Sequence, residues 1–227
     1  DLSFETLNED IPITIVKNVL KYPEQVREFF DNGYWWGNDY DESCSRPGKS
    51  FEFGQNIDVY FDPLVQDLME YYEAEDILPI EIYGNCFNGN MNLYNVRSAL
   101  PHVDTFPGDD QNEDPRMDVA FNLNLTKSDK VKTAFYSFNN KRSVCDFHKN
   151  DYEDLRICWD RQNNIRKENK WFLIDDEYEN YKLEYIADIE YNSMILYPSH
   201  NWHNSYIKED WFNDEDRITF TGFFEIV

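Results

Sequence analysis

Near Ile80 the chain changes its hydrophobic period, and that change limits its possible folds more than any other feature. Downstream, short alternating runs are bounded by turn-forming residues: Asn90 to Val96, Asp118 to Thr126, Lys132 to Phe138, Leu183 to Glu190, Ser193 to Tyr197, Trp202 to Ile207 and Arg217 to Ile226. A two-residue period sends successive side chains to opposite faces, so each run predicts a strand. Upstream, Ile13 to Val19 reads as a strand followed by two helices. The first begins at Tyr22-Pro23-Glu24, where Pro is preset for the first helical turn, and runs through Phe30 to a stop at Gly33. The second runs from Asp62-Pro63 to Glu75, with Asp62 as N-cap and Leu64, Leu68, Tyr71 and Tyr72 as its apolar stripe. Helices first and short strands after predict an α+β, mostly β fold whose sheets close into a sandwich or a barrel-like roll.

The 227 residues suit one domain, with 1–80 as a strand-and-helix region and 81–227 as the β core. Asn139 to Tyr181 breaks the strand rhythm, is polar with both charge signs, and is expected to be an insertion with some helix. No apolar run approaches eighteen residues, so no membrane span is expected. The formal net charge of −24 repels phosphate backbones and anionic lipid, which argues against duplex nucleic acid as a partner. Such acidity is also associated with saline or phage proteomes. The basic clusters, Asn140-Lys-Arg142 and Arg161 to Lys170, are flanked by acids. Four cysteines without a Cys-x-x-Cys pair predict reduced thiols in a cytoplasmic setting, the host's if the chain is phage-encoded. Cys145-x-x-His148 with Cys158 lacks a fourth ligand for a structural zinc site.

The chemistry concentrates in three places. His102-x-Asp104 puts an imidazole and a carboxylate on one face of an extended segment, within reach of a single ion. A distant histidine completes a three-ligand set that leaves the opposite coordination positions open, the arrangement of non-haem Fe(II) oxygenases. His200 and His203 compete for that role. His200 falls in the turn announced by Pro198-Ser199, whereas His203 opens a strand and shares its face with Ser205 and Ile207, so position favours His203. On the last strand Arg217 and Thr219 share a face opposite Ile218, Phe220, Phe224 and Ile226. A buried guanidinium there requires an anion, which a dicarboxylic acid would supply. The plainer alternative has Arg217 neutralising the acidic turn Asp214-Glu-Asp216.

His102-x-Asp104, His203 and Arg217-x-Thr219 together resemble the Fe(II)/2-oxoglutarate-dependent oxygenases. Several phrases resemble the prolyl-hydroxylase-like branch: Ile15 to Arg27, Asn122-Leu-Asn-Leu125 followed by Thr133-Ala-Phe-Tyr136, and Tyr197 to Ile207. The resemblance covers most of the chain outside Asn139 to Tyr181. It implies a double-stranded β-helix core (jelly-roll or cupin-like) with the N-terminal helices packed on one sheet. It further implies Fe(II) on His102, Asp104 and His203, and 2-oxoglutarate on Arg217 and Thr219 with Tyr94 as a further contact. O₂ would be the oxidant, a C–H bond of a small molecule or peptide would be hydroxylated, and succinate and CO₂ would be released. The acidic loops Tyr34 to Ser50 and Thr105 to Arg116 and the insertion would border the mouth and favour a cationic or neutral substrate. Two rivals stand beside this reading. A cupin-like metalloenzyme that does not use 2-oxoglutarate has no need of Arg217, and a metal-free binding or structural β-sandwich has no need of clustered histidines.

Overall fold

A computed structural model describes residues 2–8, 12–32, 49–52, 58–88, 101–104, 118–147 and 173–227. The expected strand Asn90 to Val96 with Tyr94, the helix stop at Gly33, the loops 33–48 and 105–116 and the middle of the expected insertion lie outside these residues. In chain order the elements are β1 (Ser3–Asn8), β2 (Ile13–Lys17), α1 (Pro23–Asp31), β3 (Lys49–Glu52), α2 (Asp58–Tyr72), β4 (Ile77–Phe87), β5 (Asp118–Asn124) and β6 (Lys132–Phe138). A 3₁₀ turn at Val144–Asp146 follows, then β7 (Glu177–Tyr178), β8 (Tyr181–Asp188), β9 (Ser193–Pro198), β10 (His203–Ser205) and β11 (Arg217–Ile226). Among the described residues, one sheet runs β1-β2-β9-β5-β11-β4-β3 and the other β10-β6-β8-β7, with every named pairing antiparallel.

Strand parity divides the large sheet into two different faces. Val16, Phe121, Leu123, Met194, Leu196, Ile218, Phe220 and Phe224 pack with Phe30 of α1 and with Leu64 and Leu68 of α2. Their neighbours in sequence face the small sheet: Ile15, Ala120, Ile195 and Tyr197 meet Phe135 and Ala187 across the gap. Helices thus cover one face of the large sheet and the small sheet covers the other, as the α+β, mostly β reading expects. Both faces of the central strands are buried, so a polar residue on the inner face is there at a desolvation cost unless something pairs with it.

α1 begins with Pro23 at its first turn and Glu24 beside it, as its sequence signals indicate, and Phe30 meets Phe220 edge-on at 4.8 Å. α2 starts earlier than expected, at Asp58, which places Asp62 inside the helix instead of at its cap. Pro63 lacks one amide donor, and that local stop signal is outweighed by burial of Leu64 and Leu68 against the sheet. Tyr71 reaches outward, stacking on Phe4 at 4.7 Å and joining Thr14 by a 3.0 Å hydroxyl contact.

β4 has no counterpart among the strands read from the sequence, and it contains Pro79 and Gly84, residues that strand interiors usually avoid. Pro79 is tolerated because the described pairs of β3 run only from Tyr83 to Cys86, leaving Pro79 bonded on the β11 side alone. The ends of the expected insertion belong to the fold: Val144, Phe147, Ile174 and Tyr181 cover Tyr136, Phe138 and Trp202 on the outer face of the small sheet. Asn139 and Asn140 take the left-handed conformation where β6 turns back (φ 50° and 61°), a geometry Asn accepts more readily than most residues. Among the described residues, no helix is long and apolar enough to cross a membrane.

Leu68 is fully buried at the helix–sheet contact, whereas Leu78 at the start of β4 is 44% exposed. Leu68→Ala is therefore expected to lower unfolding free energy by about 2–5 kcal/mol, and Leu78→Ala by about 0.5 kcal/mol or less. Urea denaturation followed by tryptophan fluorescence checks this, and equal losses for the two variants would contradict the assigned layers.

Candidate functional site

In the gap between the sheets, His102, Asp104, His203 and Arg217 line one cavity. The segment around His102 joins β10 by two backbone hydrogen bonds, His102 N–H to His203 C=O and the reverse, each 2.9 Å. That antiparallel bridge sets the two imidazoles 4.5 Å apart, centroid to centroid. Asp104 is tied down by its amide, which donates to the Ser199 carbonyl at 2.9 Å. Its carboxylate then lies 3.2 Å from His203 Nε2 and 3.7 Å from His102 Nε2. One potential ligand atom from each of the three residues falls within 4.8 Å of the others. Ligands about 2.1 Å from one ion and adjacent around it sit about 3 Å apart, so small side-chain rotations suffice to close on a cation.

Burial and hydrogen bonding also select the nitrogen that faces this point. His203 is buried, and its Nδ1 meets the Asn201 carbonyl at 2.9 Å, where only an N–H can donate. Nε2 is thereby turned toward Asp104, the orientation a metal-binding imidazole takes when a carbonyl holds its other nitrogen. Burial opposes the imidazolium, but the Asp104 carboxylate and the Asn201 carbonyl outweigh it and hold the pKa above the ordinary 6.5. His200 is a turn residue, as expected, and lines a different cavity.

The guanidinium of Arg217 occupies the same space. Arg217 is 2% exposed at the start of β11 and shares a cavity of about 110 Å³ with His102, Asp104 and His203. Its donors reach Thr219 Oγ1 and Ser205 Oγ, each at 3.4 Å, while its Nε has no partner. Among the described residues it forms no ion pair. Burial pulls its pKa down to about 10, with the neighbouring Tyr197 acting the other way. Asp216 accepts a hydrogen bond from Asn88 Nδ2 at 2.7 Å, so the acidic turn is engaged away from the arginine that follows it. Thr126 fixes the strand at this point: its hydroxyl accepts from Ile218 N–H at 2.8 Å and donates to Ile218 C=O at 3.2 Å.

Other lining residues were not identified from sequence. Asn85 Oδ1, Asn122 Oδ1 and Thr133 Oγ1 are buried without partners, and with Arg217 Nε they line this one cavity. Four stranded polar atoms around a single space point to a ligand that supplies their partners. Asn122 carried a legible signal, an amide on the inner face of a strand whose neighbours Phe121 and Leu123 are core residues. Asn85 did not, because β4 itself was not legible. Tyr94 lies outside the described residues.

No protein-family model matches the chain, and no curated protein matches it in sequence. Solved structures do match its fold. HygX from Streptomyces hygroscopicus, with nickel and 2-oxoglutarate bound, superposes with a TM-score of 0.52 at 13% identity, over 96% of this chain and 84% of HygX. The non-haem α-ketoglutarate-dependent carbocyclase SnoK from nogalamycin biosynthesis gives 0.53 at 11% identity, over 97% and 84%. The epimerase SnoN from the same biosynthesis gives 0.51 at 9% identity, over 95% and 79%. The chain therefore has the double-stranded β-helix fold of these non-haem 2-oxoglutarate-dependent enzymes.

Proposed function

We propose that this protein is an Fe(II)- and 2-oxoglutarate-dependent oxygenase that hydroxylates a C–H bond of a small polar or peptide substrate, releasing succinate and CO₂. The observation that carries the reading is the pairing of a His-Asp-His cluster with a buried arginine lacking a carboxylate partner among the described residues, in one cavity. Two imidazoles and one carboxylate suit Fe(II) with open positions, and a planar guanidinium suits a carboxylate. The donor set and the unpartnered Arg217 Nε thus fit the metal and the co-substrate respectively. Iron bound with 2-oxoglutarate supplies the activation of O₂ that the side chains cannot perform. A cupin-like metalloenzyme without 2-oxoglutarate leaves the buried charge of Arg217 without a purpose. A metal-free sandwich leaves the convergence of His102, Asp104 and His203 without one.

The chain's own residues do the positioning. His102, Asp104 and His203 would hold the metal, with the Asn201 carbonyl fixing the tautomer of His203 and the Ser199 carbonyl fixing the backbone of Asp104. Arg217, with the Thr219 and Ser205 hydroxyls beside it, would hold a carboxylate of 2-oxoglutarate. Burial of Arg217 would strengthen that contact relative to the same pair in solvent. Tyr94 is a further co-substrate contact in this reading, and the resemblance of Ile15 to Arg27 and Tyr197 to Ile207 supports the prolyl-hydroxylase-like branch. HygX binds hygromycin B and SnoN binds nogalamycin RO, which supports a small-molecule substrate here.

Two outcomes are expected. His203→Ala abolishes Fe(II) binding in anaerobic titration while His200→Ala leaves it nearly intact, because His203 Nε2 faces Asp104 and His200 lines the neighbouring cavity. Equal loss of iron in both variants would overturn the ligand assignment. In the second test, Fe(II) and 2-oxoglutarate together produce a weak visible charge-transfer band that neither produces alone. Arg217→Ala weakens the 2-oxoglutarate dependence of that band about 10- to 100-fold, the loss of one or two charge-assisted hydrogen bonds. Slow succinate formation without any prime substrate accompanies it, and no succinate above a metal-free control counts against the oxygenase.

A further inference from the structure

The large sheet carries a polar strip along the cavity that contains the metal-ligand candidates, and strand register gives its order. Tyr197 meets the His203 ring at 4.7 Å, centroid to centroid, and pairs with Ala120 on β5. Two residues further along β5, Asn122 pairs with Thr221, and two further again Asn124 pairs with Thr219. Thr219 is a residue that the Arg217 guanidinium reaches, and its partner on β4 is Asn85. Asn122 and Thr221 therefore lie between the row that touches His203 and the row that touches the guanidinium. Asn85 leans into the same interval, because its Nδ2 donates to Thr221 Oγ1 at 2.8 Å. Asn85, Asn122 and Thr221 border the one cavity shared by His102, Asp104, His203 and Arg217.

The amides of this strip are not used alike. Asn124 is fully engaged by the protein: its Nδ2 donates to the Thr126 and Ile189 carbonyls, at 3.0 and 2.7 Å, and its Oδ1 accepts from the Thr126 amide at 2.6 Å. Among the described residues, Asn85 Oδ1 and Asn122 Oδ1 have no partner, although the two residues are only 5% and 4% exposed. A buried amide oxygen left without a donor is destabilising. The terminal torsion of asparagine is soft, so a modest rotation brings either oxygen onto a ligand in the cavity. Arg217 calls for a carboxylate, whereas these two oxygens call for a hydrogen-bond donor. A plain dicarboxylate offers acceptors only. An ammonium would lie beside the buried guanidinium of Arg217, which repels it. A hydroxyl on the carbon chain of a dicarboxylate meets both demands, without the entropy lost in immobilising a water. The Thr133 hydroxyl, also unpartnered, both donates and accepts and so does not discriminate.

We propose that this cavity selects a hydroxylated dicarboxylate, with one carboxylate on Arg217 and a chain hydroxyl donating to Asn122 or Asn85. The two asparagines are then specificity-determining residues for the co-substrate. The inference rests on the oxygenase reading for the word co-substrate, and on the cavity alone for the ligand class. Within that reading, a hydroxyl-bearing 2-oxo dicarboxylate is a better ligand than 2-oxoglutarate itself.

Calorimetric titration of the metal-free protein with glutarate, 3-methylglutarate and 3-hydroxyglutarate tests the class. None of these probes carries a 2-oxo group, and the methyl compound matches the hydroxyl in bulk. 3-Hydroxyglutarate is expected to bind at least about tenfold tighter than the other two, the worth of one or two hydrogen bonds to buried acceptors. Asn122→Leu and Asn85→Leu each reduce that preference, whereas Arg217→Gln weakens all three probes alike. Thermal denaturation checks that the leucine variants fold, and either one suffices for the comparison. Equal affinities mean that water or turned amides serve the asparagines, and they overturn the inference. So does a preference shared by 3-methylglutarate, a preference kept in both leucine variants, or no binding of any probe. The visible band with Fe(II) and 2-oxoglutarate is recorded on the same preparations. A band without the hydroxyl preference defeats this inference alone, whereas the preference without a band supports the ligand class and defeats the oxygenase reading.

Discussion

Two backbone hydrogen bonds between His102 and His203 hold the candidate site together. They join a segment from the middle of the chain to a three-residue strand a hundred positions later, and they are the reason the three ligand side chains meet. Such a short strand has little stability of its own. It is held by pairing with β6 on one side and by burial of Trp202, Tyr206 and Ile207 on the two faces of the small sheet. The Asn201 carbonyl then decides which ring nitrogen faces Asp104. The relative placement of His102, Asp104 and His203 is thus set mainly by backbone hydrogen bonds to neighbouring segments.

Arg217 is the opposite case, a group placed against its own preference. Taking a guanidinium out of water is expensive, and two 3.4 Å contacts to hydroxyls do not compensate for it. Thr126 ties down the start of β11 through both backbone groups of Ile218, and Ile218 is anchored in the helix-side core. Together with Asn85, Asn122 and Thr133, Arg217 makes the inter-sheet cavity polar within an otherwise apolar sandwich. A structure that strands four polar atoms around one space is arranged to bind something there.

The residues singled out in the sequence, His102, Asp104, His203, Arg217 and Thr219, do line one cavity, while His200 lines another. The bounds of β6 and β11 were legible from residues alone, because period-two alternation determines facing without reference to any partner. The tertiary structure decided the rest. β4 overrides Pro79 and Gly84 because pairing with β11 and burial of Ile77, Ile82 and Phe87 outweigh local propensity. Asn85 reaches the site only because β4 pairs with β11, opposite Thr219. Local sequence carries the period of a strand, but which strands become neighbours depends on contacts between residues far apart in the chain, and the polar residues that share a cavity are chosen there.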